Sequence, residues 1–444
     1  MMNEIDSELR RKTISPEAAA ALVRSGNWLD YGFGAGQPDL FDRALAARIT
    51  SLSGVKIRGA LALRPSAAVE ADPEARHVTC LSWYFSKIER ALHDRGLCHH
   101  IPMNFGESPD YYRRFCEVDI AVLKTAPIDE HGFFNFGAAV TYHKAITERA
   151  RVVIVETCQA MPYVYGVENG VHISEVSHVI DGGVGTIPEL RNPAANDADR
   201  RVGELIAAEI EDGACIQIGI GAMPNAVCET LCESGVRDLS VHTEMFVDSL
   251  VKLHATGKIT GAHKALNRFQ MTYTFAAGSA DLYRFLDRNP ACFAGPVDYT
   301  NLPQNIMRND RAVAICNAAQ IDLTGQAFSE TAGIRQISGT GGQLQFIRGA
   351  YASRGGKAFL CMASTYERNG KRESRIVGRI APGSVVTTPR TDVMYVVTEH
   401  GLANLKGKSV GERARALIAL AHPDFRDELE REARAMRLVG RGCF

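Results

Sequence analysis

Glu244 lies in VHTEMFVDSL, residues 241–250, between Thr243 and Met245 and directly after a short β-prone run. An acid in that place supports three readings: a nucleophile, a general acid, or a solvated residue at a strand end. A carboxylate with an ordinary pKa of roughly 4 is ionised at neutral pH and needs no general base to attack. It needs instead a thioester-level electrophile held close, with N–H donors for the tetrahedral oxyanion. A general acid would need a raised pKa and a second carboxylate, for which Asp248 is the near candidate. On the residues alone, the solvated acid is the simplest of the three.

Three glycine loops stand out beside it. They are YGFGAGQP with Gly32, Gly34 and Gly36, QIGIGAMPNAV with Gly219 and Gly221, and SGTGGQLQF with Gly339, Gly341 and Gly342. Glycines at strand-to-helix turns allow positive φ and let backbone N–H groups approach a ligand, while helix N-termini add partial positive charge. None matches G-x-G-x-x-G followed by an acid about twenty residues on, and none is a G-x-x-x-x-G-K-[ST] phosphate loop. Each alone reads as plain turn chemistry; three at the ends of expected strands point to a cleft at the carboxyl edges of the sheets.

The elements that must hold these loops alternate. Ser15-Pro16-Glu17 reads as an N-cap with Pro at the first helical position, opening PEAAAALVRSG. The strand NWLDYGF, the helix DLFDRALAARIT, the strand VDIAVLKTAP, the helix TYHKAITERA and the strand RVVIVET follow. Apolar runs without strict alternation suit a parallel sheet covered on both faces. From about 181 to 200 the texture changes to a Gly-, Pro-, Asn- and Asp-rich linker. A second pattern then runs through VGELIAAEIEDG, ACIQIGIG, MPNAVCETLCESG, DLSVHTEM, AVAICNAAQIDL, KAFLCMAS, SVVTTP and DVMYVVTEHG. It closes on the helices ERARALIALA and PDFRDELEREARAM. The reading is a doubly wound α/β chain in two domains, 1–185 and 186–444. Strands ACIQIGIG and DLSVHTEM flank one helix and form a β-α-β unit, so they end on the same sheet edge and bring Glu244 near Gly219 and Gly221.

Composition narrows the class. The chain has 444 residues, a net charge of -1, 45% hydrophobic residues and 40 glycines. That fits an α/β enzyme and argues against a nucleic-acid binder working by phosphate neutralisation. The 11 cysteines are scattered without a C-x-x-C. Cys98-His99-His100 suggests a metal, but free thiols in a reducing compartment are the plainer reading, and no metal site is expected. The N-terminus has early acids and no apolar signal core, and no run is long enough to span a membrane. The expected setting is the cytoplasm, with no membrane partner.

QIGIGAMPNAV, HTEMFVD, IDLTGQ, SGTGGQ, VTEHGLANLKGKS and ERARALIALAHPDF resemble the acetyl-CoA hydrolase/transferase family of class I CoA-transferases, in the branch of the 4-hydroxybutyrate type. YGFGAGQP, DEHGFFNFG and VHISEV extend the resemblance over about residues 10 to 430. It implies two open, mainly parallel α/β domains with the active site in the cleft between them. It implies ping-pong chemistry on Glu244 through an acyl-glutamyl anhydride and a glutamyl-CoA thioester. Coenzyme A and acyl-CoA enter as substrates, with no tightly bound cofactor, and the chain is expected to form a homodimer or higher homo-oligomer. The same resemblance makes Gly341 and Gly342 candidate oxyanion donors, and Gln217, Gly219 and Gly221 candidates for positioning the acyl group. Gly34 and Gln37, in the first loop, would bound the acyl pocket. Gly339, Lys406 and Lys408 would contact CoA, and Arg348 is the cation that a dicarboxylate would need. Gln345, where many relatives carry an acid nearby, and His400, where relatives often carry an aromatic residue, bear on which acyl group is accepted. A C4–C5 acid such as 4-hydroxybutyrate is the expected acceptor, with an itaconate- or succinate-type dicarboxylate enzyme or a short-chain acyl-CoA hydrolase as alternatives. A non-catalytic ligand binder would be expected to lose the Glu244 carboxylate first, and a dinucleotide enzyme lacks its fingerprint.

Overall fold

The computed structural model describes residues 2–190 and 193–440. Unit 1 comprises Met1–Arg191, Thr272–Thr300 and Gln336–Gly339; unit 2 comprises Asn192–Met271, Asn301–Arg335 and Thr340–Phe444. The chain first changes unit inside the linker-like stretch, and two later segments return to unit 1.

Among the described residues, unit 1 is built on a seven-stranded sheet whose paired neighbours all run parallel. Its order is Cys98–His100, Val78–Ser82, Val55–Ala60, Trp28–Phe33, Ile120–Thr125, Val152–Thr157, His178–Ile180. IAVLKT is buried along its whole length and VVIVET along all but its ends, as strands covered on both faces require. The core packs Leu29, Ile57, Val122, Ile154 and Ile180 of the sheet against Phe41, Leu45 and Ile49. Ser15 accepts from the Ala18 N–H at 3.1 Å with Pro16 next in line, so the first cap is the one its sequence signals. The strand order reverses at Trp28–Phe33, and the first glycine loop leaves from that point.

Unit 2 repeats the device. Its six-stranded sheet of described residues runs Ser240–Val241, Cys215–Ile218, Ala312–Asn317, Lys357–Cys361, Tyr395–Thr398, Gly401–Asn404. All neighbours are parallel except the last pair. The order reverses at Cys215–Ile218, and the second glycine loop leaves there. Open α/β sheets place ligands at such switch points. The core joins Ala314, Leu360 and Val396 to Phe346, Leu417, Ile418 and Leu429.

Three details differ from the sequence reading. DVMYVVTEHG is a strand plus a hairpin turn: Tyr395–Thr398 folds back antiparallel as Gly401–Asn404, with Glu399 and His400 at the bend. SVVTTP is not a sheet strand. Pro382-Gly383 and Pro389 bound it, and its pairing is a single antiparallel bridge from Thr388 to Ala327. DLSVHTEM stops as a strand at Val241, so Glu244 lies in the connection to Met245–Phe246.

Candidate active site

Glu244 is fastened to the switch point of unit 2. Ser240–Val241 pairs parallel with Cys215–Ile218, Cys215 opposite Ser240 and Ile216 opposite Val241, and helix Ala222–Glu233 connects them. The His242 N–H donates to the Ile216 carbonyl at 3.2 Å. The Thr243 hydroxyl lies 3.3 Å from the Ile218 carbonyl and 3.1 Å from that of Met245, two acceptors for one proton. The residue before Glu244 is thus tied to the residue before Gly219, which is the adjacency that the β-α-β rule requires.

The carboxyl group has two donors in unit 2. Asn301 Nδ2 donates to Oε2 at 2.6 Å, and the Gly342 backbone N–H donates as well. Gly342 caps helix Gln343–Ala352, so this donor is one of the free amides at a helix start. A side chain on Gly342 would collide with Glu244 Oε2 and with Asn301 Nδ2. Its φ of -98° is open to any residue, so glycine is required here for space and not for conformation. Glu244 remains partly open to solvent, yet burial of its carboxyl outweighs both hydrogen bonds and pushes its pKa up to about 7. The ordinary carboxylate pKa expected from sequence therefore does not hold. The shift favours nucleophilic attack, because a less stabilised anion is a more basic one. Asp248 is the first residue of helix Asp248–Ala255.

Asn301 escaped the sequence reading. It lies 57 residues from Glu244, in DYTNLPQN, and a single sequence holds no local pattern that marks it.

The other candidates are placed as follows. Gly219 is partly open, with no atom within 4 Å of where a side chain would start, and Gly221 has φ +121° at the start of its helix. Gln217 is buried, and its side-chain oxygen accepts from the Ile315 N–H at 3.1 Å, so that oxygen serves the neighbouring strand. Gly341, at φ +56°, makes the turn before Gly342. Gln345 is buried in the first turn of the helix that follows. Arg348 on that helix is paired to Asp392 at 2.7 Å and is half-exposed. Lys406 donates to the Thr391 carbonyl at 2.7 Å and covers the Tyr351 ring at 4.2 Å, whereas Lys408 is exposed.

In unit 1, Gly339 is pressed against the backbone of Trp83 and Tyr84, where a side chain would collide. The first glycine loop encloses a histidine. His143 is fully buried, its Nε2 accepts from the Phe33 N–H at 3.0 Å, and side chains on Gly32 or Gly36 would strike its ring. Gly34 is buried with φ +52°, and the Leu61 carbonyl oxygen lies 4.0 Å from where a side chain would start. Gln37 Nε2 donates to the Ala60 carbonyl at 3.4 Å, while its own carbonyl accepts from Arg64 at 2.6 Å. Cys98 is buried beside Cys80, and His100 packs edge-on against Phe85. Among the described residues no group of three or more His, Cys, Asp or Glu could hold a metal, and no helix is long and apolar enough to cross a membrane.

The acetyl-CoA hydrolase/transferase N-terminal domain matches residues 2–187, and the C-terminal domain of the same name matches residues 278–433. The butyryl-CoA:acetate CoA-transferase of Anaerostipes caccae is 45% identical over 430 residues, covering 96% of each chain. This chain belongs to the acetyl-CoA hydrolase/transferase family. Two solved structures extend the likeness. RipA from Yersinia pestis superposes with a TM-score of 0.91 at 37% identity, over 98% of this chain and 100% of that one. The 4-hydroxybutyrate CoA-transferase of Porphyromonas gingivalis gives 0.78 at 33%, over 96% and 98%. Around Glu244 this acetyl-CoA hydrolase/transferase family member brings together an acid at a switch point, a side-chain amide and a helix-start N–H on one carboxyl group.

Proposed function

We propose that this family member exchanges coenzyme A between a short-chain acyl-CoA and a small carboxylic acid through covalent intermediates on Glu244. The observation that carries the reading is the Glu244 carboxyl itself, half-buried, raised to about 7 and held by Asn301 and Gly342. In the first step the carboxylate attacks the acyl-CoA carbonyl; a C–O bond forms, the C–S bond breaks and CoA leaves as thiolate. The thiolate then attacks the glutamyl carbonyl of the anhydride, which releases the first carboxylate and leaves a glutamyl-CoA thioester. A second carboxylate attacks that thioester and the freed thiolate takes up its acyl group, so Glu244 is regenerated with no net proton. Asn301 donates to Oε2 and the Gly342 N–H donates to the same carboxyl group; negative charge gathers on that group when the glutamyl carbonyl is attacked, so both serve as oxyanion donors at that stage.

Relatives support the substrate class. A. caccae supplies butyryl-CoA and acetate as the first pair to assay, and the P. gingivalis structure supplies 4-hydroxybutyrate. A C4–C5 monocarboxylic acid is favoured over a dicarboxylate, because Asp392 already neutralises Arg348. The proposal includes no resident cofactor and a homo-oligomeric assembly, both taken from the family resemblance, and a cytoplasmic setting, expected from the sequence. Initial rates against both substrates should give parallel double-reciprocal lines. Intersecting lines would contradict the covalent route, and steady CoA release without an acid would favour the hydrolase.

The acid limb of kcat/KM should have its midpoint near pH 7, set by ionisation of Glu244. Asn301→Ala removes a donor that lowers that pKa, so the midpoint should move upward and activity at pH 7 should fall ~10–100-fold. A pH–rate profile with an unmoved midpoint would remove Asn301 from this role.

A further inference from the structure

The turn that carries Gly342 is tied to a further buried carboxylate, one that the chemistry above does not use. Glu330 is 4% exposed. Its Oε2 accepts from the Thr340 hydroxyl at 3.0 Å, and the Thr387 hydroxyl donates to it as well. Thr387 in turn accepts from the Ser329 N–H at 2.9 Å. The segments carrying these groups are locked together: the Ala327 and Thr388 backbones exchange hydrogen bonds at 3.1 and 3.0 Å, and Gln343 Nε2 donates to the Thr388 hydroxyl at 3.1 Å. Thr340 and Gln343 are the residues on either side of Gly341–Gly342. The glycine turn is therefore pinned at both ends to one pair of bridged segments, by Glu330 on one side and by Thr388 on the other.

A buried acid without a cation is a costly fastener, because the groups that face Glu330 are hydroxyls and its burial is uncompensated by opposite charge. What it gains is a charge-assisted hydrogen bond to Thr340, stronger than a neutral side chain would make. The turn it holds has little room for error. Gly342 must come close enough to donate to Glu244, and the space there excludes even a methyl group.

We infer that Glu330 is a positioning residue for the Glu244 site: through Thr340 its carboxylate fixes the Gly341–Gly342 turn in the place from which the Gly342 N–H reaches Glu244. The inference rests on the proposed function for its bearing on rate, but its geometric claim is testable without any substrate. Unfolding of the wild type and of Glu244→Gln is compared from pH 5 to 9, and the pH at which their stability gap stops growing marks the folded pKa of Glu244. Burial, Asn301 and Gly342 set that value, and the Cys316 thiol on Ala312–Asn317, which interacts electrostatically with Glu244, is itself pushed far up by burial.

The same comparison is then made in Thr340→Val and Glu330→Gln backgrounds. The expected result is an upward shift of the Glu244 midpoint by ~0.5–1 pH unit, because the Gly342 hydrogen bond is loosened. Transfer kcat should fall ~10–100-fold with KM for acyl-CoA nearly unchanged, and Thr340→Ser should restore both values. If Glu330→Gln fails to fold, Thr340→Val, which removes only the hydroxyl, decides the matter. An unmoved midpoint and full kcat in folded Thr340→Val overturn the inference while leaving the proposed function standing. Absence of CoA transfer by the wild type overturns the proposed function, and the midpoint shift still decides the place of Glu330.

Discussion

Glu244→Gln should lose CoA transfer by ~10⁴-fold or more and, at pH 8, should unfold less readily than the wild type. The first effect would follow from removing the oxygen that the proposed route bonds to the acyl group. The second follows from the cost of keeping that atom charged. In the folded chain the Glu244 pKa is about 7, against 4.5 for the free side chain. Between those values the folded state holds the proton more tightly than the unfolded one. The contribution of Glu244 to wild-type stability therefore declines as pH rises from about 4.5 to about 7 and is flat beyond. The penalty at pH 8 is at most about 3 kcal/mol, and about 1–3 kcal/mol once partial exposure is allowed for. Glutamine carries no charge and escapes it. Denaturant unfolding at pH 5 and pH 8, together with a transfer assay, checks both halves. Retention of activity within ~10-fold of wild type, or a stability gap that ignores pH, would contradict the role given to Glu244.

Gly342→Ala should cost ~10²–10³-fold in kcat with the fold intact. The added methyl group meets the Glu244 carboxyl and the Asn301 amide. Those are the mobile ends of side chains and not backbone, so they yield before the fold does. Alanine also fits the φ of -98°, which removes backbone strain as a cause of any loss. The result is a displaced nucleophile with its amide partner pushed aside. Circular dichroism and unfolding would confirm an intact fold, and steady-state kinetics would read the defect. Near-normal turnover would mean that the carboxyl need not occupy its observed place.

The parts of this account legible in the sequence are those governed by chain topology. IAVLKT and VVIVET announce buried parallel strands because both their faces are covered. Glu244 could be placed beside Gly219 because two strands flanking one helix must end on the same edge. The motifs around HTEM and GTGG pointed to the family, and its domains match along most of the chain. Properties that depend on side-chain packing were not legible. The pKa of Glu244 depends on desolvation by residues distant in sequence, and Asn301 reaches it from 57 positions away. Gly32 and Gly36, in a loop whose glycines gave no sign of what they face, make room for the buried His143 ring. Gln217, read as a substrate contact, turns its side-chain oxygen to Ile315. A glycine or an amide in a loop looks the same in sequence whether it faces a ligand or a neighbour.

The central claim is that Glu244 carries the acyl and CoA groups in turn. Intact-protein mass spectrometry after brief exposure to butyryl-CoA or acetyl-CoA without an acceptor acid tests it most directly, with borohydride reduction and peptide mapping to locate the adduct. The account predicts a CoA adduct on the peptide holding Glu244, discharged by adding acetate or 4-hydroxybutyrate and absent in Glu244→Gln. Transfer that proceeds with no adduct, or an adduct on any other residue, would contradict it.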